Sequence, residues 1–142
     1  MTIAAILHNK GSEVLSIGCG ASLREAVELL ADRRIGAMPV LKDGKVAGIL
    51  SERDVIYCLR RDGEKALDLD VEQVMTAPPV TVTGENTVDE AMAQMTIRRI
   101  RHLPVVEKDE LVGIVSIGDL VKYRIDRIEQ EAAAMRDYIR TV

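Results

Sequence analysis

Apolar and polar residues alternate along the first half of the chain with two spacings, one helical and one extended. Apolar residues recur at helical spacing across 23–30, which predicts an amphipathic helix. Two short apolar runs follow at 38–41 and 46–50, separated by the polar sequence Lys-Asp-Gly-Lys, and they predict a β-hairpin. A strand at 14–17 and a final helix capped by Ser51 complete a unit of strand, helix, strand, strand and helix.

The same pattern recurs 65 residues later, so the chain contains an internal repeat. Without a gap, 11 of the 35 positions from 22 to 56 are identical to their counterparts. The second unit begins with a predicted strand at 80–82 and continues through a helix and a hairpin to Val115. Because one such unit would bury too little apolar surface alone, we expect the two units to share a core.

Local signals predict where several of these elements begin and end. Ser22, with Glu25 at the third helical position, predicts a capping box at the start of the first helix. Gly36 is predicted to terminate that helix, because glycine readily adopts the left-handed conformation of helix ends. Polar residues after the first unit predict a linker, which includes a short helical turn at 71–76.

The predicted fold class is α+β, with two tandem units followed by a C-terminal helix. The predicted domains are an N-terminal segment at 1–10, a first unit at 11–62, a linker at 63–76, a second unit at 77–124 and a helical extension at 125–142.

The most informative local pattern is Gly-Ile-x-Ser-x-x-Asp, which ends the last strand of each unit and opens a helix. Glycine admits the close approach of a ligand, and a helix N-terminus attracts phosphate. The hydroxyls of Ser51 and Ser116 can donate a hydrogen bond, and the carboxylates of Asp54 and Asp119 can accept two ribose hydroxyls. The alternative is that each Ser-x-x-Asp is only a capping box, and the residues alone leave both interpretations open.

A second candidate group is cationic. Arg101 and His102 precede the hairpin of the second unit, where the first unit has Gly36 and Ala37. Arg53 lies inside the first Ser-x-x-Asp sequence. These cations can bind phosphate oxygens through charge-assisted hydrogen bonds. The alternative, which we accept for the Arg-Arg pairs at the helix ends, is that they complement the helix dipole.

Composition narrows the classes of function. The chain has 142 residues, a net charge of −4, and neither Phe nor Trp, which argues against a nucleic-acid-binding protein. Two cysteines without a C-x-x-C sequence and two histidines argue against a metal site. We find neither a membrane-spanning run nor a signal peptide, so we expect a cytoplasmic protein. The sequence contains no recognisable nucleophile–base pair.

The C-terminal segment carries a separate apolar seam. Ile125, Ile128, Ala132, Met135 and Ile139 recur at spacings of 3, 4, 3 and 4, as they do in a coiled coil. The seam is too short for a stable solitary coiled coil, so it must pack on its own domain or on a second copy. We favour the second copy, and therefore expect a homodimer.

Together these features resemble a tandem pair of cystathionine-β-synthase (CBS) domains, over about residues 10–124. The resemblance rests on the duplicated unit, its Met-Pro-Val and Leu-Pro-Val strands, and the Val-Met-Thr sequence at 74–76. Small stand-alone CBS-pair proteins carry Ser-Glu-Arg-Asp in the first unit, as 51–54 do here. They carry Arg-His-Leu-Pro-Val in the second unit, as 101–105 do here.

The resemblance implies two units packed about a pseudo-twofold axis, with clefts that bind adenine nucleotides. AMP is the most frequent ligand of such clefts, and ADP, ATP, NAD(H) or S-adenosylmethionine are others. Carried over by position, the ligand-binding residues are Ser51, Asp54, Ser116 and Asp119 near the ribose, Arg53, Arg101 and His102 near the phosphate, and Ile35, Gly36, Ala37, Ile100 and Leu103 near the adenine.

The leading hypothesis is a regulatory module that senses adenine nucleotides and acts through a protein target or a rearrangement of its dimer. The alternative is a structural or interaction module with no physiological nucleotide. Because two units and a tail occupy the sequence, we expect no catalytic domain and no enzymatic activity.

Overall fold

Each half of the chain is built around one antiparallel β-hairpin. A computed structural model describes residues 1–11 and 13–141. The first hairpin joins β2 (Ala37–Lys42) to β3 (Lys45–Ser51), and the second joins β4 (His102–Glu107) to β5 (Glu110–Ser116). Both predicted hairpins are confirmed.

The helices within the two units follow the order that the repeat predicts, and two further helical segments, one at the N-terminus and one in the linker, were not predicted. The helices are α1 (Ile3–Lys10), α2 (Leu23–Arg33), α3 (Glu52–Asp62), α4 (Val71–Val74), α5 (Val88–Arg98) and α6 (Ile117–Thr141), with a 3-10 helix at Gly63–Asp68.

The first strand of each unit is shorter than predicted. The strand expected at 14–17 is reduced to β1 (Ile17–Gly18), which pairs in parallel with β2. In the second unit, the strand expected at 80–82 is a single bridge between Val82 and Val105. Two prolines at 78 and 79 precede this bridge, and proline has no N–H to donate to a neighbouring strand.

The first helix does not end at Gly36 as predicted. The helix α2 ends at Arg33, and Arg34 forms the left-handed cap with φ 52° and ψ 46°. The N–H of Ile35 then donates to the carbonyl of Leu30 at 3.1 Å, which closes the helix end. The capping box predicted at the other end of α2 is present only in part, since the Ser22 hydroxyl accepts from the Glu25 N–H.

Two aliphatic cores lie under the two hairpins, and each core includes a segment that comes from outside its own unit. Ile3 and Ile6 of α1, which precedes the first unit, are buried in the second core. Ala66 and Val71, from the predicted linker, are buried in the first core. The segment that leads into each unit therefore packs on the other unit, and this exchange ties the two halves together.

Equivalent glycines allow this exchange, because a lead-in segment crosses each hairpin at close range. A Cβ atom on Gly48 would lie 2.7 Å from both the Met75 sulfur and the Thr76 carbonyl oxygen. A Cβ atom on Gly113, the counterpart of Gly48, would lie 2.8 Å from the Leu7 side chain. A larger residue at Gly48 would require the backbone of the crossing segment to move, and one at Gly113 would require the Leu7 side chain to shift.

The C-terminal extension is helical, as predicted, because α6 continues without a break for 25 residues. Its seam residues are exposed in the single chain, with Ile128 57% and Met135 61% exposed. None of the helices within the described residues is both long enough and apolar enough to cross a membrane.

We expect Gly48→Ala to destabilise the fold by about 1–3 kcal/mol, because the added methyl group overlaps the backbone of Thr76. Urea unfolding followed by circular dichroism would measure the change. The control is Gly18→Ala, since a Cβ atom there meets nothing within 4 Å. Equal stability of the two variants would contradict the close packing at Gly48.

Candidate functional site

A cleft opens where the start of α3 faces the start of β4, so both halves of the chain line it. Its walls include apolar groups from Ile49, Val80 and Ile100 and charged groups from both halves. Eight of the twelve residues predicted from the sequence line this cleft: Gly36, Ala37, Ser51, Arg53, Asp54, Ile100, Arg101 and His102.

The other four predicted residues lie elsewhere. Leu103 is fully buried in the second core. Adjacent residues of a strand face opposite sides, so Leu103 faces the core while the preceding residue, His102, faces the cleft. Ile35 packs against the first core. Ser116 and Asp119 lie at the junction of β5 and α6, outside the walls of this cleft.

Asp54 combines a structural role with a position in the cleft. Its Oδ2 accepts hydrogen bonds from the Ser51 N–H at 2.9 Å and the Ser51 hydroxyl at 3.0 Å, which completes a capping box. Its Oδ1 accepts a hydrogen bond from the Thr76 hydroxyl at 2.9 Å. Because a carboxylate offers about four acceptor positions, Asp54 retains capacity to bind hydroxyl groups of a ligand.

Arginine side chains supply the positive charge of the cleft. Arg53 donates from Nη1 to the carbonyl of Arg99 at 3.2 Å, and Arg101 lies beside them. Among the residues that the structure describes, none of the three forms an ion pair. Their guanidinium groups are therefore available to an anion.

Seven residues that line the cleft lie outside the predicted set: Ile49, Glu52, Thr76, Pro78, Pro79, Val80 and Arg99. Thr76 and Arg99 were assigned to a helical turn and to a solvated helix end, yet both line the cleft. Glu52 also lines it, and its Oε1 lies 2.7 Å from the position that a Cβ atom on Gly36 would occupy. Glu52 and Thr76 lie inside the Ser-Glu-Arg-Asp and Val-Met-Thr sequences on which the resemblance rests, and those sequences are the signal that could have found them. No local pattern places Arg99 at the cleft, because its contact with Arg53 joins residues 46 positions apart.

His102 lies at the boundary between the two halves. Burial lowers the pKa of its imidazole below the usual 6.5, and the positive charges of Arg101 and Lys10 lower it further. The carboxylates of Asp119 and Glu52 oppose this shift but do not reverse it. His102 is therefore neutral at pH 7 and can donate one hydrogen bond and accept another.

The duplicated aspartate has a different partner. Lys10, the last residue of α1, donates to Asp119 Oδ2 at 2.6 Å and to the carbonyl of Ile114 at 2.8 Å. The Ser116 N–H also donates to Asp119 Oδ2, at 2.8 Å, as in a capping box. Burial raises the pKa of Asp119, but hydrogen bonds from Lys10 and Ser116 outweigh burial and hold the pKa below 3.8.

The cysteines take no part in the cleft. Cys58 is buried in the first core and Cys19 is partly buried, and both are free thiols. Within residues 1–11 and 13–141, no three His, Cys, Asp or Glu side chains are arranged to hold a metal ion.

Comparisons by family model, by sequence and by structure all match this chain to CBS-domain proteins. The family model described as "CBS domain" matches residues 10–61 and 71–126. The curated protein "CBS domain-containing protein CBSX3, mitochondrial" of Arabidopsis thaliana is 32% identical over 97% of this chain and 71% of its own length. Among solved structures, the CBS-domain containing protein ATU1752 of Agrobacterium tumefaciens has a TM-score of 0.83 and 39% identity. That match covers 87% of this chain and 92% of the Agrobacterium chain.

A more distant solved structure contains two ligands. The CBS domain pair of protein MJ0100 is described in complex with 5′-methylthioadenosine and S-adenosyl-L-methionine. It is 23% identical with a TM-score of 0.78, and the match covers 89% of this chain and 98% of that chain. At this identity the likeness shows a common fold.

We expect the wild-type protein to lose stability as the pH falls below 6.5, through the partly buried imidazole of His102. Its pKa is lower in the folded than in the unfolded chain, so the unfolded chain takes up the proton first. Urea unfolding at pH 7.5 and 5.5 would show a smaller loss for His102→Gln than for wild type. Parallel losses in the two proteins would contradict the lowered pKa.

Proposed function

The chain belongs to the CBS domain family, and on that premise we propose that it is a regulatory module that binds an adenine nucleotide in the Asp54 cleft. The observation that carries the proposal is the pairing of a carboxylate with unpaired arginines across one cleft. AMP is the ligand that we propose first. ADP, ATP, NAD(H) and S-adenosylmethionine are the alternatives within the same class.

The chemistry of the cleft suits the three parts of a nucleotide. Three of the roughly four acceptor positions of the Asp54 carboxylate are taken by Ser51 and Thr76, so it can accept one ribose hydroxyl directly and the second when the Thr76 hydroxyl turns away. Arg53 and Arg101 can bind the phosphate through charge-assisted hydrogen bonds. Ile49 and Ile100 line the cleft with apolar side chains against which an adenine ring can pack. Because these walls are aliphatic, the absence of Phe and Trp from the sequence does not oppose adenine binding.

The ligands of MJ0100 support the choice of class, since both of its ligands contain adenosine. Both also carry sulfur in place of the phosphate, so they support an adenosine site more directly than a phosphate site. The phosphate part of the proposal rests on the arginines of this chain.

We propose that the module has no catalytic activity of its own and transmits ligand binding to a protein target, which the sequence does not identify. A cytoplasmic location stays a prediction. The competing function is a structural or interaction module, in which both Ser-x-x-Asp sequences serve only as helix caps. A melting temperature that rises with AMP concentration would distinguish the two functions, because only a ligand that binds the native state stabilises it.

We expect Asp54→Asn to weaken AMP binding by about 10- to 100-fold, because the substitution removes the charge that accepts the ribose hydroxyls. Isothermal titration calorimetry would measure the affinity. The matched control is Asp70→Asn, which changes the residue before α4, outside the cleft.

The variant Arg101→Ala distinguishes the contribution of the phosphate to binding from that of the ribose in the same experiment. It should weaken the binding of AMP and leave the binding of adenosine unchanged. Unchanged AMP binding in the double variant with both Asp54→Asn and Asp119→Asn would contradict the proposed site.

We also propose that the exposed seam of α6 pairs with the same helix of a second copy. The seam runs from Ile125 to Ile139, and Val121 extends it by one more step of the same heptad spacing. Among the described residues after Arg124, all except Ala133 are exposed in the single chain. In a parallel pair of helices, a residue that flanks the seam on one copy faces the flanking residue five positions further along on the other copy. Arg124 then faces Glu129 of the second copy, and Glu131 faces Arg136.

Charge complementarity selects this parallel orientation. Both facing pairs join opposite charges, and twofold symmetry doubles each pair. A fully overlapped antiparallel pair would instead place Glu129 beside Glu129 and Glu131 beside Glu131 of the second copy, which is repulsive. In the single chain, Arg124 contacts Asp89 and Glu131 contacts Arg127. When two copies pair, contacts between the copies would replace these two contacts within the chain.

We expect the wild type to sediment as a dimer and Met135→Glu to sediment as a monomer, because the substitution places a charge in the seam. Met135 is 61% exposed in the single chain, so the monomer should keep its stability. Ala134→Glu, one residue away and outside the seam, is the control and should stay dimeric. A monomeric wild type or a dimeric Met135→Glu in analytical ultracentrifugation would contradict the α6 interface.

A further inference from the structure

His102 brings an imidazole to the cleft where the other half of the repeat has a methyl group. Its counterpart in the first unit is Ala37, which is 5% exposed. The backbone of His102 pairs with that of Ser116 across the second hairpin. The carbonyl of the preceding residue, Arg101, accepts a hydrogen bond from the Ile117 N–H at 2.8 Å. The imidazole is therefore presented to a ligand from a fixed stretch of backbone.

The imidazole of His102 has hydrogen-bonding capacity to spare. In the part of the chain that the structure describes, no protein group hydrogen-bonds to either imidazole nitrogen, and neither nitrogen is buried without a partner. The charged groups that line the cleft with it are Glu52, Arg53, Asp54, Arg99 and Arg101. Arg101 is close enough for its charge to lower the pKa of His102. A phosphate bound to Arg101 would therefore lie near the imidazole.

Four charged side chains act on the imidazole in the absence of a ligand. Lys10 of α1 and Asp119 of α6 form an ion pair at 2.6 Å, so their opposite effects on the imidazole largely cancel. Glu52 of α3 approaches from the first unit, since its Oε1 and the imidazole Cε1 lie 2.7 and 3.3 Å from the point that a Cβ atom on Gly36 would occupy. Arg101 opposes Glu52, and burial adds to the effect of Arg101, so the ring is neutral at pH 7.

A bound phosphate reverses this balance. Its negative charge offsets the positive charge of Arg101, and an anion beside an imidazole favours the protonated ring. The ring takes up a proton from solvent and then donates charge-assisted hydrogen bonds, which are stronger than neutral ones. Glu52 supports the same change, because its carboxylate attracts the protonated ring. Adenosine carries no charge and produces no such effect.

We propose that His102 distinguishes phosphorylated from unphosphorylated adenosine ligands by taking up a proton together with the phosphate. This inference rests on the proposed function of the Asp54 cleft and names the residue of that cleft that responds to the phosphate alone. Because the pKa of His102 is higher in the AMP complex than in the free protein, protonation of His102 strengthens AMP binding as the pH falls towards the pKa of the complex. The binding of adenosine has no such dependence on His102.

Nuclear magnetic resonance measures the protonation of each histidine directly, and the chain has only two, His8 and His102. The imidazole signals of the wild type are followed against pH in the free protein and with saturating AMP or adenosine, and the variant His8→Gln assigns them. We expect AMP, and not adenosine, to raise the midpoint of the His102 titration by about 1 pH unit or more. His8 is exposed on α1 and is the internal control, since AMP should leave its titration curve unchanged.

Calorimetry at pH 6.5 measures the consequence for specificity. AMP and adenosine are titrated into the wild type and into His102→Gln, because glutamine keeps an N–H donor but cannot take up the proton. We expect the affinity for AMP relative to adenosine to fall by about 3- to 10-fold in the variant. The phosphate of AMP itself titrates with a pKa of about 6, and comparing the two proteins cancels that contribution. The matched control is His8→Gln, which should keep the ratio of the wild type.

The outcomes separate the role of His102 from the function of the cleft. An unchanged His102 midpoint in the AMP complex, or an equal rise with adenosine, overturns the role of His102, while the Asp54 cleft stands because its ligand binds. An unchanged affinity ratio in His102→Gln also overturns that role. If neither AMP nor adenosine binds to the wild type, the proposed function fails, and the role of His102 fails with it.

Discussion

The fold depends on the close crossing of each lead-in segment over the hairpin of the opposite unit. Gly48 and Gly113 make the crossing possible, because a side chain at either position would overlap the segment above it. The crossing buries Ile3 in the second core and Val71 in the first. Neither unit then has a complete core without residues from the other, which is why two units too small to be stable alone form one structure.

The same crossing builds the cleft. The segment that passes over Gly48 continues to Thr76, whose hydroxyl binds Asp54 and whose N–H donates to the carbonyl of Ile49 at 2.8 Å. The other wall comes from the second unit, at Arg101. A ligand in the cleft would therefore contact both halves at once.

One residue type serves both stability and recognition in this architecture. The aspartate of each Ser-x-x-Asp sequence caps its helix through one oxygen. The capping and ligand interpretations therefore do not compete at Asp54, since the second oxygen faces the cleft with Thr76. The two halves differ in what meets the carboxylate, a hydroxyl in one and the ammonium of Lys10 in the other. The repeated sequence thus forms two equivalent helix caps whose carboxylates have different partners.

The sequence alone determined the repeat, the hairpins, the fold class and most of the cleft residues, because spacing and capping are local patterns that recur with the unit. It misplaced the end of α2, where Arg34 takes the left-handed conformation that glycine was expected to adopt. Only the tertiary structure decided that Leu103 faces the core, that Thr76 reaches Asp54, and that Lys10 pairs with Asp119. Lys10 and Asp119 are 109 positions apart, and a contact made by chain crossing leaves no periodic signal in the sequence.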